Sequence, residues 1–349
     1  MGTEAAGGYG VYSSAKATIQ VTTTQKAVYS MHANDFFNED FLCALAGATS
    51  EDDVLMSEPM SSHTTFKIGG PADIVITPHS IDALVRALDL LYKCDIPTTI
   101  VGNGSDLLVG DRGIRGAVVL LRENLAGISC EATTITAEAG ALLKDVALAA
   151  ADAELTGMEP LWGIPATVGG ACFMNAGAYG GTTADVLKSV KAYVPGRVDE
   201  NGLRGSGHVL DFDVDELAMG YRKSRIHDEG WIVLSATFAL APGNAAMIRA
   251  DMDSYQQKRE EKQPLEMPSA GSTFKRPEGY FAGKLIMDAG LRGYRFGGAQ
   301  VSDKHCGFVV NADHATAADV RGLIAHVQDE VKSQFGVDLE PEVRMIGEF

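Results

Sequence analysis

Several things are scarce in this sequence of 349 residues, and each scarcity excludes something. No apolar run approaches the roughly 18 residues that a membrane-spanning helix needs, and the first thirty residues lack the apolar core of a signal peptide. The five cysteines (Cys43, Cys94, Cys130, Cys172 and Cys306) are odd in number, scattered and never in a CxxC pair. Reduced, structurally buried thiols in a cytoplasmic, soluble protein are therefore expected. The eight histidines show no ligand spacing with Cys or carboxylates, so no metal site is expected. Basic residues are also short: 29 Lys and Arg face 46 Asp and Glu, a net charge of -17. That balance argues against nucleic acid or an anionic membrane as partner. An anionic small molecule stays possible if its basic residues cluster locally.

Glycine, in contrast, is abundant at 39 residues, which suits loops where backbone approaches a ligand closely. The length implies two or three domains. Residues 1–40 are rich in Gly, Ala, Ser and Thr without a sustained period, and a disordered extension is expected there. From Thr64 the chain becomes regular. Asp73–Ile76 reads as a strand, and Ser80 caps a helix with Ile81, Leu84, Val85, Leu88 and Leu91 on one face. Strands follow at 98–101 and 107–109, then at 118–121, 133–139 and 231–234, with a helix near 141–153. A charged helix over 245–262 ends before Pro264, and a last helix over 316–335 carries Val320, Leu323, Ile324, Val327 and Val331 on one face. Helices and strands that do not alternate strictly predict an α+β fold.

Two glycine stretches stand out. Gly102-Asn103-Gly104-Ser105-Asp106 starts like a dinucleotide fingerprint, but Leu107 stands where the third glycine belongs and no helix follows. What remains is either a plain tight turn or a nest of free N–H groups around phosphate oxygens. The second stretch runs from Trp162 to Gly181. Gly169-Gly170 is a poor helix interior, which implies contact with a ligand or close packing between segments.

Three further positions carry the makings of one reaction centre: Ser272 after Gly271, Arg222 in Tyr221-Arg222-Lys223-Ser224, and Glu342 in Leu339-Glu340-Pro341-Glu342. A hydroxyl can give up a proton, while an arginine and a carboxylic acid can steady an enolate. Each taken singly also reads as an ordinary turn serine, salt-bridging arginine or edge-strand carboxylate. Lys275, Arg276, Lys284 and Lys304 form a basic group in the same section of an acidic chain.

Ile164–Gly181, Tyr221–Arg225, Ala270–Pro277, Gly297–Asn311 and Leu339–Gly347 occur in the order found in the UDP-N-acetylenolpyruvoylglucosamine reductase family, which the chain resembles from about Thr64 to Gly347. The resemblance implies a two-part FAD-binding domain of the vanillyl-alcohol-oxidase/PCMH type and a smaller C-terminal α+β substrate domain. It divides the chain into residues 41–122 and 123–242 for the two FAD-binding parts, 243–335 for the substrate domain, and 336–349 for a segment returning to the site. It further implies non-covalent FAD, NADPH as hydride donor, and reduction of an enolpyruvyl sugar nucleotide to UDP-N-acetylmuramate in peptidoglycan synthesis.

By the same resemblance, Ser272 is the proton donor, Arg222 holds the substrate carboxylate, and Glu342 donates a hydrogen bond as a protonated acid with a raised pKa. Gly102, Asn103, Gly104, Ser105 and Asp106 would cradle the pyrophosphate, with Thr167, Gly169, Gly170, Asn175, Gly177 and Ala178 lining the rest of the cofactor. Tyr221, Lys275 and His305 fall at substrate-contacting positions, although His305 also reads as a satisfied loop histidine. A monomer acting on small molecules is expected. About fifty residues separate Arg222 from Ser272, as in the shorter of the family's two forms, so the closing tyrosine loop of the longer form is not expected and Tyr255 is not given its role. Two alternatives stay open at this stage: an FAD-dependent oxidase of a hydroxy acid or alcohol, and a non-catalytic sugar-nucleotide-binding protein.

Overall fold

The computed structural model describes residues 37–349 apart from 201 and 203, so the expected extension lies outside the described residues except for its last four positions. The first section builds a four-stranded sheet from β1 (Val54–Pro59), β2 (Pro71–Ile76), β3 (Thr98–Val101) and β5 (Ile114–Leu120), in the order β1-β2-β5-β3. β2 and β3 do not pair with one another. β5 enters between them, parallel to both. The helix Ile81–Lys93 makes the crossover; Ser80 accepts from the Ala83 amide at 3.1 Å, and Leu84, Leu88 and Leu91 are buried.

β4 (Leu107–Val109) stays outside this sheet. It pairs in parallel with Arg344–Ile346 near the chain end, Leu107 standing opposite Arg344. The sequence marked 107–109 as a strand without indicating this partner.

The second section forms a five-stranded antiparallel sheet in the order β6 (Ile128–Glu131), β7 (Thr134–Glu138), Ile232–Ala239, Leu187–Val194 and His208–Asp213. The last two strands carried no recognised sequence signal; His208–Asp213 is almost wholly exposed and so lacks an apolar alternation. One large core joins the faces of both sheets to the helices Glu39–Ala48, Ile81–Lys93 and Leu143–Asp152.

A second core gathers Phe274, Leu285, Val301, Val309 and the apolar face of Ala317–Phe335. Val320, Leu323, Ile324, Val327 and Val331 are all buried there, as their spacing predicts. Each contributes about 1.5–3 kcal/mol of burial. Phe66, Ile68 and Leu108 from the first section belong to this same core, which locks the C-terminal section onto the sheet region. The expectation of buried thiols holds for Cys172 and Cys306 only. Cys43, Cys94 and Cys130 are exposed, on a helix, at a helix end and on an edge strand. No described helix is long and apolar enough to cross a membrane.

Candidate active site

A cleft of about 980 Å³ lies where these sections meet. That is the upper end of the range for small-molecule pockets. Its walls carry Gly102–Asp106, Gly163–Thr167, Gly169, Gly170, Gly177 and Ala178, and also Arg222, Ser272 and Glu342.

The 102–106 turn is shaped by its neighbours. Gly104 sits at φ +63, and a Cβ there would fall 2.2 Å from the His63 carbonyl oxygen. Only glycine meets both demands cheaply. A Cβ on Gly102 would likewise fall 2.2 Å from Thr167 Oγ1, and Asn103 Nδ2 donates to the Pro165 carbonyl at 2.7 Å. From beneath, Arg122 donates to the carbonyls of Gly102 and His63 at 3.2 and 3.1 Å. With its carbonyls held this way, no backbone N–H of residues 102–106 donates a hydrogen bond to a described residue. The turn is a nest of free amides facing a cleft.

The second glycine stretch is different. Thr167 caps the helix Val168–Met174, accepting from the Gly170 amide at 3.4 Å. The Val168 and Gly169 amides donate to the Ala141 and Ala139 carbonyls, each at 2.8 Å. Gly169 also approaches Ala139 too closely for a side chain to fit easily. Close packing therefore accounts for Gly169, whereas a Cβ on Gly170 would meet only Thr167 Oγ1 at 3.6 Å, and both residues line the cleft.

Asn175 does not line the cleft. It ends the helix in the left-handed region, and its side chain donates to the Gly220 carbonyl and accepts from the Ala184 amide, both at 3.0 Å. Its observed task is to fix the turn before Arg222. Ser224 acts from the other side, donating to the Phe173 carbonyl at 2.7 Å while capping Arg225–Glu229. Between these clamps Gly220 and Lys223 pair through their backbones, with Tyr221 and Arg222 as the turn tip. Arg222 adopts φ +54, a conformation that costs a non-glycine residue of order 1 kcal/mol or more.

Arg222 Nε donates to Glu342 Oε1 at 2.5 Å, and both side chains are mostly buried. One oxygen of Glu342 thus serves as the acceptor for the Arg222 guanidinium. Ser272 follows Gly271, which sits at φ +73, and is exposed to the cleft. The next residue anchors it: the Glu342 amide donates to the Thr273 carbonyl at 2.8 Å, and the Thr273 amide to the Gly307 carbonyl at 2.8 Å. Ser272 and Glu342 therefore ride on adjoining extended segments. Asp106, at the end of the glycine turn, has its pKa pushed up to about 7, first by burial and then by the charge of Glu342, against the opposing pull of Arg344 and Arg222.

Three expected substrate residues also lie off the cleft wall. Tyr221 is exposed at the rim, its ring 5.0 Å from the Arg222 guanidinium carbon and its hydroxyl accepting from the Arg276 amide at 3.4 Å. Lys275 pairs with Glu340 at 2.5 Å. His305 accepts from the Gly307 amide at 3.1 Å and stands edge-on to Phe308, which does line the cleft. Burial pushes its pKa down.

The expected basic group is likewise dispersed. Lys284 pairs with Asp288 and Lys304 with Glu266, while Arg276 lies over the Phe281 ring. Exposed acids close at hand neutralise the three lysines.

The cleft instead draws positive charge from Lys67, Arg122, Arg222, Arg259 and Arg344. Arg344 opens the strand Arg344–Ile346, two residues beyond Glu342, and its place within the Leu339–Gly347 motif was the signal that could have found it. Arg259 gave no such signal within its charged helix. It is 8% exposed, a Cβ on Gly163 would fall 2.3 Å from its Nε, and that Nε is buried without a partner among the described residues.

A profile of the UDP-N-acetylenolpyruvoylglucosamine reductase C-terminal domain matches residues 263–346, and one of an FAD binding domain matches 72–196. The UDP-N-acetylenolpyruvoylglucosamine reductase of Agathobacter rectalis is 51% identical over 324 residues, covering 89% of this chain and all of that protein. This chain belongs to that reductase family. The reductase of Clostridium beijerinckii is 50% identical over 85% of this chain and 94% of its own length. The crystal structure of the Thermus caldophilus reductase superposes with a TM-score of 0.66 at 33% identity, covering 84% of this chain and 97% of that one. Family membership decides against the oxidase and the non-catalytic alternatives. The chain is an FAD-containing oxidoreductase with a two-part FAD-binding region and a C-terminal reductase-family domain.

The residues present fit FAD. The free amides of 102–106 suit its pyrophosphate, and glycine keeps that loop against Thr167.

Proposed function

We propose that this chain reduces UDP-N-acetylglucosamine enolpyruvate to UDP-N-acetylmuramate with electrons from NADPH, as a step in peptidoglycan precursor synthesis. One observation carries the reading: Ser272, Arg222 and Glu342, from three distant segments, line one cleft together with the free-amide turn. Bound FAD supplies hydride transfer. The chain's own residues manage the charge and the proton that must follow.

Hydride addition to the terminal carbon of the enolpyruvyl group leaves negative charge on the carbon beside the carboxylate, spread as an enolate. Arg222 meets that carboxylate. Its Nε is already held by Glu342, so the remaining guanidinium N–H groups are pre-aimed and lose little entropy on binding. The strained turn and its Asn175 and Ser224 clamps hold the same geometry. Ser272 then gives its hydroxyl proton to the carbanion-like carbon, a strong enough base to take it. Burial of the pair excludes water and strengthens each of these interactions.

The turn 102–106, with Thr167, Gly169, Gly170, Gly177 and Ala178, holds FAD without a covalent link. Tyr221, Lys275 and His305 contribute at the rim, with Lys275 exchanging Glu340 for the substrate diphosphate. Residues 41–122 and 123–242 form the two FAD-binding parts, 243–335 the substrate domain, and 336–349 the returning segment. The protein works as a cytoplasmic monomer on small molecules, without metal, nucleic acid or membrane.

The test is NADPH oxidation by the purified yellow protein. Oxidation should depend on UDP-N-acetylglucosamine enolpyruvate and be lost in Ser272→Ala. Oxidation that ignores that substrate would overturn the reading.

A further inference from the structure

Asp106 ends the glycine turn, yet nothing in cofactor cradling calls for an acid there, since a carboxylate aimed into the nest would repel phosphate oxygens. Its surroundings explain it differently. The Asp106 carbonyl accepts from the Arg344 amide at 2.9 Å, and the parallel pairing of β4 with Arg344–Ile346 begins at the next residue. That C-terminal segment also carries Glu342, which is paired to Arg222 from the opposite section. Two carboxyl groups and two guanidinium groups from three segments therefore line one cleft. The charges acting on Asp106 are those of Glu342, Arg344 and Arg222. Of the other cations near the turn, Arg122 is committed to the carbonyls of Gly102 and His63, and Lys67 also lines the cleft. The Asp106 carboxyl accepts no hydrogen bond from a described residue, and the Arg344 guanidinium rests on the Phe173 ring, 4.8 Å from its centroid, without an ion-pair partner among the described residues.

We infer that Asp106 is a proton-holding residue that sets the net charge an incoming anion meets, acting through its cluster with Glu342, Arg222 and Arg344. With Asp106 protonated, two guanidinium groups face one carboxylate, and a net positive charge remains for the carboxylate of the ligand. Ionised, Asp106 cancels that charge. Burial and the neighbouring Glu342 hold its titration near neutrality, with its pKa at about 7, so both states are within reach. Because a bound anion favours the protonated form, binding and proton uptake are linked in both directions. This inference rests on the reading of the cleft as a site for a carboxylate-bearing sugar nucleotide.

The experiment is calorimetric titration of the FAD-loaded protein with UDP-N-acetylglucosamine enolpyruvate at pH 8, in two buffers of different ionisation enthalpy. A parallel titration uses UDP-N-acetylglucosamine, which lacks the carboxylate. The wild-type protein should take up a substantial fraction of a proton with the enolpyruvyl ligand and less with the other. Its Kd should rise by up to tenfold per pH unit above neutrality. Asp106→Asn, which imitates the neutral acid, should bind without uptake and with a flat pH profile. Absence of uptake in the wild-type protein overturns the inference without recourse to any variant, and so does uptake that persists in Asp106→Asn. Failure of the loaded wild-type protein to bind the enolpyruvyl ligand at any pH sinks the functional reading itself, which is a separate result.

Discussion

Arg222 and Glu342, separated by 120 positions in sequence, meet through one Nε–Oε1 hydrogen bond of 2.5 Å that ties a strained turn to the C-terminal segment. Removing the acid leaves a mostly buried guanidinium without its charge partner and free to rotate. Glu342→Gln should lower kcat by roughly 10²–10³-fold, the usual loss on removing one preorganised electrostatic group. Flavin content should be unchanged. Steady-state kinetics with a flavin absorbance check would show it, and a loss confined to KM would contradict the assigned geometry.

Ser272→Ala should separate the two halves of the reaction. NADPH should still bleach the yellow colour under anaerobic conditions, because the hydroxyl has no part in that half. Return of the colour on adding the enolpyruvyl substrate should slow by about 10²–10⁴-fold, the range for loss of a general acid. Stopped-flow absorbance measures both, and equal slowing of both halves would place Ser272 elsewhere.

Gly163→Ala tests Arg259 without touching it. The new Cβ would land 2.3 Å from Arg259 Nε, so the side chain must leave its buried position against this loop. Weaker retention of FAD on dialysis is expected, with near-normal thermal stability of the apoprotein. Gly104→Ala should do worse, since strain at φ +63 adds to a collision with a backbone oxygen that cannot yield. That variant should lose FAD and stability together.

Asp106 also predicts how stability depends on pH. Its pKa is raised in the folded state from 3.8 to about 7, so between those values the native protein binds more protons than the unfolded chain. Stability from this group is full below 3.8, is lost as pH climbs from there to about 7, and levels off above that. A shift of about three units corresponds to roughly 4 kcal/mol at most, less after relaxation and solvent screening. The apoprotein of Asp106→Asn should therefore be the more stable of the two at pH 8, with the gap much narrower at pH 5 and closed only below the unfolded value of 3.8. Urea melts at both pH values would reveal it, and a gap that is equal at both would contradict the shift.

Much of this was readable in the chain because local burial leaves a local mark. The helices at 81–93 and 317–335 repeat their apolar positions at helical spacing, the charged helix 245–262 stops before Pro264, and the structure finds all three starting within a residue of that reading. Ser272, Arg222 and Glu342 were found through the motifs around them. His208–Asp213 escaped because an exposed edge strand needs no apolar alternation, and Asn175 was read as a cofactor contact because a left-handed helix cap looks the same in sequence whichever way its amide points.

By itself, then, the sequence determined which segments become helices and strands, where glycine must allow a tight turn, and which family the site residues belong to. These are properties of a few neighbouring residues. Tertiary structure alone decided that residues 107–109 pair with the chain end, placing Asp106 in one cluster with Glu342, and that Arg259 is buried while Lys275, Lys284 and Lys304 are neutralised at the surface. Those outcomes depend on which distant segments share a core and which acid happens to stand opposite each base. No spacing along the chain encodes that, because contact across hundreds of residues is settled by packing and charge in space.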